Sequence, residues 1–284
     1  MSPYEVTEGS GSDVVRLRVY PCGDNVSRPA SALLWMHGGG FAGGSLDMPE
    51  GDAVCRSLAE RGTTCVSVDY RLAPPIKRWR SAQPGDIHFP VPVGDCERGW
   101  QWLAGNAGRL GADPQRLYIG GASAGGALAA TLALRLRDRE VVPAGVVLAY
   151  PFLHQELPPF SDGLRASIRG WRRTGTLSRS ALRRMARNYV GPDRLNRLSE
   201  AFPGGSDLSG FPPALIINSD RDTLRASGER FAEELREHRR PVDASYEPGT
   251  PHGHLNRPQE PAFLHSITLI ASWLATTGEA LTDH

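Results

Sequence analysis

The feature that most restricts how this chain can fold is an alternation that runs through nearly all of its 284 residues: short apolar stretches, each followed by a stretch with helical spacing. Residues 13–20 alternate apolar and polar side chains as a half-buried strand does, and 32–36, 64–68, 117–119, 146–149, 214–217 and 242–246 are further strand-like segments. Helical spacing is read over 52–60, 95–110, 123–137, 231–238 and 263–274. Repeated strand–helix–strand units predict an α/β fold with a mostly parallel central sheet and helices on both faces. Ligands of such sheets bind outside the carboxyl ends of the strands, so chemistry is expected just after each strand.

The alternation breaks once. Residues 152–212 contain no convincing strand, only a helix expected over 178–189 with Ser178 as its N-cap, then a run through Pro203, Gly204, Gly205, Gly210 and Pro212. The expected organisation is a core formed by 1–151 and 213–284, with 152–212 inserted as a helical cap over the site rather than as an independent domain.

Composition removes several function classes. A formal net charge of +1 gives no global field for nucleic acid or an anionic membrane surface, and no apolar run approaches the length of a membrane span. The polar N-terminus lacks the basic start and apolar stretch of a secretory signal. Cys22, Cys55, Cys65 and Cys96 fit no CxxC spacing and are expected to be buried thiols. A cytoplasmic location is the simplest expectation.

Three features after strands carry chemistry. Gly121-Ala122-Ser123-Ala124-Gly125 stands between the strand at 117–119 and a helix. That context predicts a tight turn holding the serine Oγ exposed, with glycines where neighbouring chains pass too close for a Cβ, and the helix N-terminus adds positive potential. His37-Gly38-Gly39-Gly40 directly follows the strand at 32–36. Bare peptide N–H groups there suit the oxygen of a carbonyl under attack, and losing one such donor typically costs a factor of about 10² to 10³ in rate. A serine nucleophile also needs a base and an orienting carboxylate, in the chain order Ser, acid, His. Asp220 and Asp222 both follow the strand at 214–217 as candidate acids. His252 follows the last strand and its turn as the base, with His254 as its competitor.

Together these residues resemble the hormone-sensitive-lipase-like carboxylesterases of the α/β-hydrolase fold. The resemblance runs from about Leu33 to the C-terminal helix. It includes His37 to Gly40, Asp69-Tyr70-Arg71-Leu72-Ala73-Pro74, Gly121 to Gly126, Asp207 to Ala214, Asp222-Thr223-Leu224-Arg225 and His252-Gly253. It implies Ser123 as nucleophile, His252 as base and acid, and Gly39, Gly40 and Ala124 as oxyanion donors. It selects Asp222 over Asp220, because the family's acid opens a D-P-L-R stretch that Asp222 to Arg225 matches in all but the proline. Ala122, Pro75, Ala226 and His254 depart from the family pattern without removing a catalytic group.

The implied function is cleavage of small to medium carboxylic esters through an acyl-enzyme, with a small-molecule ester as partner and no metal or organic cofactor. The protein is expected as a monomer or homodimer. One alternative is a specialised acyl-transfer, lactone-opening or cyclising enzyme on the same triad. Another is a non-catalytic small-molecule-binding protein of this fold. Few residues precede the first strand, where the family has a helical segment, which predicts a more open pocket. The extra sequence between Pro74 and Phe89 supplies Trp79 and His88 as candidate substrate-lining residues, with His154 and His254 as two more. Arg165, Arg169, Arg172, Arg173, Arg179, Arg183, Arg184 and Arg187 make the cap basic. They are either a solvated face or an attraction for an anionic substrate or acidic carrier.

Overall fold

The computed structural model describes residues 2–23, 30–76, 85–169 and 177–280. Its centre is an eight-stranded sheet in the order β1-β2-β4-β3-β5-β6-β7-β8. The strands are β1 (Tyr4–Glu8), β2 (Val15–Tyr20), β3 (Ala30–Met36), β4 (Thr64–Asp69), β5 (Ala112–Ala122), β6 (Gly145–Ala149), β7 (Ala214–Ser219) and β8 (Val242–Glu247). From β4 to β8 every neighbouring pair is parallel, whereas β2 runs antiparallel to both β1 and β4. The sheet is thus the mostly parallel α/β sheet that the alternation predicts. The edge strand β1 has no counterpart among the expected strands. Its exposed Tyr4 and Glu5 and half-buried Val6 bury too little for an apolar pattern to stand out.

The helices follow from what each strand face must bury. All seven residues of β3 are buried, as in a central strand covered on both sides. Its side chains alternate between two cores. Leu33 and Trp35 join Tyr118, Val147, Leu215 and Ile217 against Val54 and Leu58 of α1 (Pro49–Ala59) and Ile267, Ile270 and Leu274 of α8 (Pro261–Ala280). Leu34 and Met36 join Ile119, Leu148 and Ile216 on the other face. There they meet Val93, Trp100 and Leu103 of α2 (Val91–Asn106), Leu128 and Leu132 of α3 (Ala124–Leu136) and Phe231 and Leu235 of α7 (Arg225–Glu237). Helix α3 is buried almost all round, which is why its sequence is Ala- and Leu-rich rather than amphipathic.

Between β6 and β7 the described residues form no strand. They hold α4 (Asp162–Ile168), α5 (Arg179–Val190) and α6 (Leu198–Ala201). In α5, Leu182, Ala186, Tyr189 and Val190 are buried while Arg179, Arg183, Arg184 and Arg187 are exposed, a one-sided amphipathic helix. The Ser178 hydroxyl caps it by accepting the Ala181 N–H at 3.2 Å. All four cysteines are free and buried. No helix among the described residues is long and apolar enough to cross a membrane.

Candidate active site

The carboxyl ends of β3, β5 and β6 are where the backbone is most constrained. Phe41, Ser123 and Tyr150 are three of the four non-glycine residues with positive φ among those described. A non-glycine residue in such a conformation costs on the order of 1–3 kcal/mol and persists only where its surroundings impose it. Ser123 stands at φ 54° and ψ −115° in the one-residue turn from β5 into α3. Its N–H donates to Ala149 O at 2.9 Å, and its carbonyl accepts from Ala127 and Phe152 at 3.2 and 3.1 Å. The flanking glycines are steric requirements. A Cβ on Gly121 would lie 2.4 Å from Gly125 O, and one on Gly125 would lie 2.2 Å from Met36 O and 2.4 Å from His37 O. The serine turn is therefore packed directly against the backbone that opens the His-Gly-Gly-Gly loop.

The loops after β7 and β8 bring two further side chains to this turn. His252 Nε2 lies 2.9 Å from Ser123 Oγ, and His252 Nδ1 lies 2.5 Å from Asp222 Oδ2. Asp222 is fully buried, and its other oxygen accepts the Leu224 N–H at 3.0 Å. Burial pulls the His252 imidazole toward its neutral form. The charge and hydrogen bond of Asp222 outweigh that, with a further contribution from Glu50, and the pKa ends above the ordinary histidine value. The neighbouring candidates are engaged elsewhere. Asp220 accepts from Ser167 Oγ and Arg225 at 2.6 Å each and from the Gly249 N–H at 2.9 Å, so it ties loops together.

Gly39 and Gly40 have φ of 118° and 61°, a region open to glycine at no steric cost. The N–H groups of Gly39, Gly40 and Ala124 have no backbone acceptor among the described residues. Ala124 is the first residue of α3, where the unsatisfied helix N–H groups begin. Helix α5 lies over this loop, for a Cβ at Gly40 would be 3.4 Å from Met185 Sδ.

The other expected site residues are placed differently. Trp79 lies outside the described residues, as do Arg172 and Arg173. His88 is half-buried against the end of α5, with Nδ1 2.9 Å from Asn188 O. His154 is buried in a polar pair of its own, Nδ1 2.9 Å from Ser227 Oγ and Nε2 3.3 Å from Glu234 Oε1. His254, expected to line the substrate, is instead fully buried between Ser219 Oγ at 2.8 Å and Ser266 Oγ at 3.0 Å. Burial, then the charges of His252 and Arg257, push its pKa down to about 3. It holds the loop beneath His252 and is neutral wherever a general base works. Among the cap arginines, Arg183 pairs with Glu156 at 2.7 Å, while Arg179 donates to the carbonyls of Leu157 and Pro158 and Arg165 to Phe160 O at 3.1 Å.

One group escaped the reading of the sequence. Glu50, in the first turn of α1, is only 2% exposed and reaches the back of the site, beside Tyr150 and Asn256. Its signal was the spacing Glu50, Val54, Leu58, which puts an acid on the buried face of an amphipathic helix.

Known proteins resemble the chain in sequence and in fold. The family described as "alpha/beta hydrolase fold" matches residues 33–256. A carboxylesterase of Mycobacterium tuberculosis, NlhH, is 32% identical over 231 residues, 79% of this chain and 66% of that protein. An ethyl acetate hydrolase of Pseudomonas putida is 34% identical over 243 residues, 83% of this chain and 70% of its own length. Among solved structures, a bacterial heroin esterase superposes with a TM-score of 0.78 at 30% identity, covering 97% of this chain and 84% of that one. EstE1, a thermostable carboxylesterase from a metagenomic library, gives a TM-score of 0.81 at 30% identity, with 97% and 89% covered. Fold, sequence match and structural likeness converge: the chain belongs to the hormone-sensitive-lipase-like carboxylesterase family of the α/β hydrolases.

Proposed function

We propose that the protein hydrolyses carboxylic esters with small to medium acyl groups, with Ser123, His252 and Asp222 as a catalytic triad. The observation that carries this reading is the continuous hydrogen-bonded chain from buried Asp222 through His252 to a serine held in a strained turn. His252 Nε2 takes the Ser123 proton as Oγ bonds to the ester carbonyl carbon, while Asp222 keeps the other ring nitrogen protonated. The carbonyl π electrons move to oxygen, where the N–H groups of Gly39, Gly40 and Ala124 receive the charge. Collapse expels the alcohol, protonated by His252. Water then repeats the sequence on the acyl-enzyme, returning the serine and releasing the acid. Residues 152–212 act as a cap over this site, as the position of Met185 beside Gly40 supports. A small, neutral ester is in keeping with the likeness to the ethyl acetate hydrolase of Pseudomonas putida.

Labelling tests the assignment. A fluorophosphonate probe is expected to modify the wild-type protein and not Ser123→Ala, with turnover of p-nitrophenyl acetate through hexanoate lost in the same variant. An unlabelled wild type, or labelling that survives Ser123→Ala, overturns it. Labelling without turnover of any of these esters moves the reading to acyl transfer to another acceptor. The pH profile supplies a second check. Because the His252 pKa lies above the ordinary histidine value, the imidazole stays protonated, and unable to act as a base, to a higher pH than usual. The acid limb of kcat/KM is therefore expected above pH 6.5, the ordinary histidine value. A limb below it contradicts the pairing with Asp222.

A further inference from the structure

The first glycine of the His-Gly-Gly-Gly loop has no positive φ to account for it. What excludes a side chain there is Glu50: a Cβ on Gly38 would lie 2.2 Å from Glu50 Oε1. The same oxygen accepts the Gly38 N–H at 2.7 Å. Glu50 Oε2 accepts the Tyr150 hydroxyl at 2.7 Å and the Asn256 side-chain amide at 2.9 Å. The Glu50 backbone joins in, its N–H donating to Asn256 Oδ1 at 3.3 Å and its carbonyl accepting from Trp35 Nε1 at 2.6 Å. One carboxyl, 2% exposed, thus ties together three segments that meet nowhere in sequence: the oxyanion loop after β3, the strained Tyr150 after β6, and Asn256, four residues beyond His252. Burying a carboxylate is expensive unless donors match its lone pairs, and here every bonded partner donates. The Tyr150 ring in turn packs edge-on against His252, centroids 5.1 Å apart, and against His254, 5.0 Å apart.

We infer that Glu50 is a positioning residue that holds the oxyanion loop and the His252 loop in register with each other, through Gly38 on one side and Tyr150 and Asn256 on the other. The inference rests on the triad reading above. It assigns to α1, which contributes no residue to the triad or the oxyanion hole, the task of setting the distance between the groups that activate the nucleophile and those that receive the oxyanion. A misplacement of either half raises the barrier without weakening ester binding, so the effect belongs in kcat.

The groups facing His252 are the Ser123 hydroxyl, the Asp222 carboxylate, the Tyr150 ring and His254, with Glu50 behind Tyr150. His254 titrates at about 3, and burial holds the Tyr150 phenol well above its usual range, so both stay neutral where the enzyme is assayed. Asp222 and Glu50 are then the charges that favour the imidazolium.

The test uses the full chain and compares wild type with Glu50→Gln, Glu50→Ala and Tyr150→Phe on p-nitrophenyl butyrate. Fluorophosphonate labelling and thermal melting are followed alongside. Glu50→Gln keeps the volume but lacks the charge, and its amide nitrogen faces groups that themselves donate. It is expected to lose about 10- to 100-fold in kcat at nearly constant KM, less than or comparable to the loss of one oxyanion donor. Ser123 labels more slowly by a similar factor, and the acid limb of kcat/KM moves to lower pH. Tyr150→Phe leaves the carboxyl and its bond to Gly38 in place, so it loses less and keeps the limb near its wild-type position. Glu50→Gln and Glu50→Ala with kcat within about twofold of wild type and an unmoved limb overturn the inference. So does a loss of activity that only tracks the loss of folded protein, with kcat per folded molecule unchanged. An unlabelled wild type would instead defeat the triad reading itself, so the two failures are distinguishable.

Discussion

Asp222→Asn is expected to lower kcat on a short-chain aryl ester by about 10⁴-fold while the protein stays folded. Asp222 is fully buried, and Oδ2 accepts the proton on His252 Nδ1 across 2.5 Å. An asparagine fits the same space. Its oxygen can serve either the Leu224 N–H, which Asp222 Oδ1 now accepts at 3.0 Å, or His252, but not both. With the oxygen on Leu224, the amide NH₂ faces Nδ1 and donates to it. The imidazole then carries its proton on Nε2, the nitrogen 2.9 Å from Ser123 Oγ, and cannot accept the serine proton. The fall belongs in kcat, because nothing that binds the ester has changed. Asp220→Asn is the control. Asp220 joins Arg225, Ser167 and Gly249, so its loss lowers the melting temperature while sparing most of kcat. Steady-state kinetics with thermal melts separate the two. The reverse pattern, with Asp220 controlling kcat and Asp222 controlling stability, would exchange their roles.

The second large effect is expected from Gly125→Ala. The added methyl would sit 2.2 Å from Met36 O and 2.4 Å from His37 O, and both are backbone atoms that no rotamer change can move away. Relief requires α3 to retreat from the end of β3, which separates the Ser123 turn from the loop carrying Gly39 and Gly40. Overpacking of this kind costs typically about 1–3 kcal/mol, and a fixed backbone on two sides puts this case at the upper end. Displacing the oxyanion donors is expected to cost about 10² to 10³ in kcat in whatever protein remains folded. Gly105→Ala gives the contrast within the same molecule. Gly105 is an exposed residue in α2 with nothing within 4 Å of the added Cβ, so alanine there is expected to stabilise by about 0.5–1 kcal/mol. Denaturant melts of the two variants should move in opposite directions. A Gly125→Ala protein with wild-type stability and turnover would show that this contact is not as tight as it stands.

What was legible in the sequence was whatever depends on periodicity and local chemistry. Strands β2 to β8 and helices α1, α2, α3, α5, α7 and α8 are legible in the residue pattern, because a strand or helix buries a face that its own residues spell out, whereas the short helices α4 and α6 between β6 and β7 were not expected. Boundaries were less legible. Helix α7 begins at Arg225 rather than near 231, since its first two turns carry Arg225 and Glu229 among small residues and lack an apolar rhythm. The tight turn at Ser123 was readable for the same local reason: a strand, two glycines at fixed offsets and a helix leave the backbone one way through.

The sequence by itself determined that this chain builds a mostly parallel α/β sheet and places a glycine loop, a serine, an acid and a histidine, in that order, each after a strand. Those features are written in stretches of five to twenty residues. Strand order left Asp220 and Asp222 both open, and the family resemblance selected Asp222, whose carboxylate meets the imidazole; tertiary structure alone decided that His254 is locked beneath its neighbour and that Glu50 lies against Gly38, Tyr150 and Asn256. The reason is physical. A side chain two positions along a loop points elsewhere, and a buried carboxyl finds its donors across 100 and 206 residues of chain, distances over which no local pattern carries information.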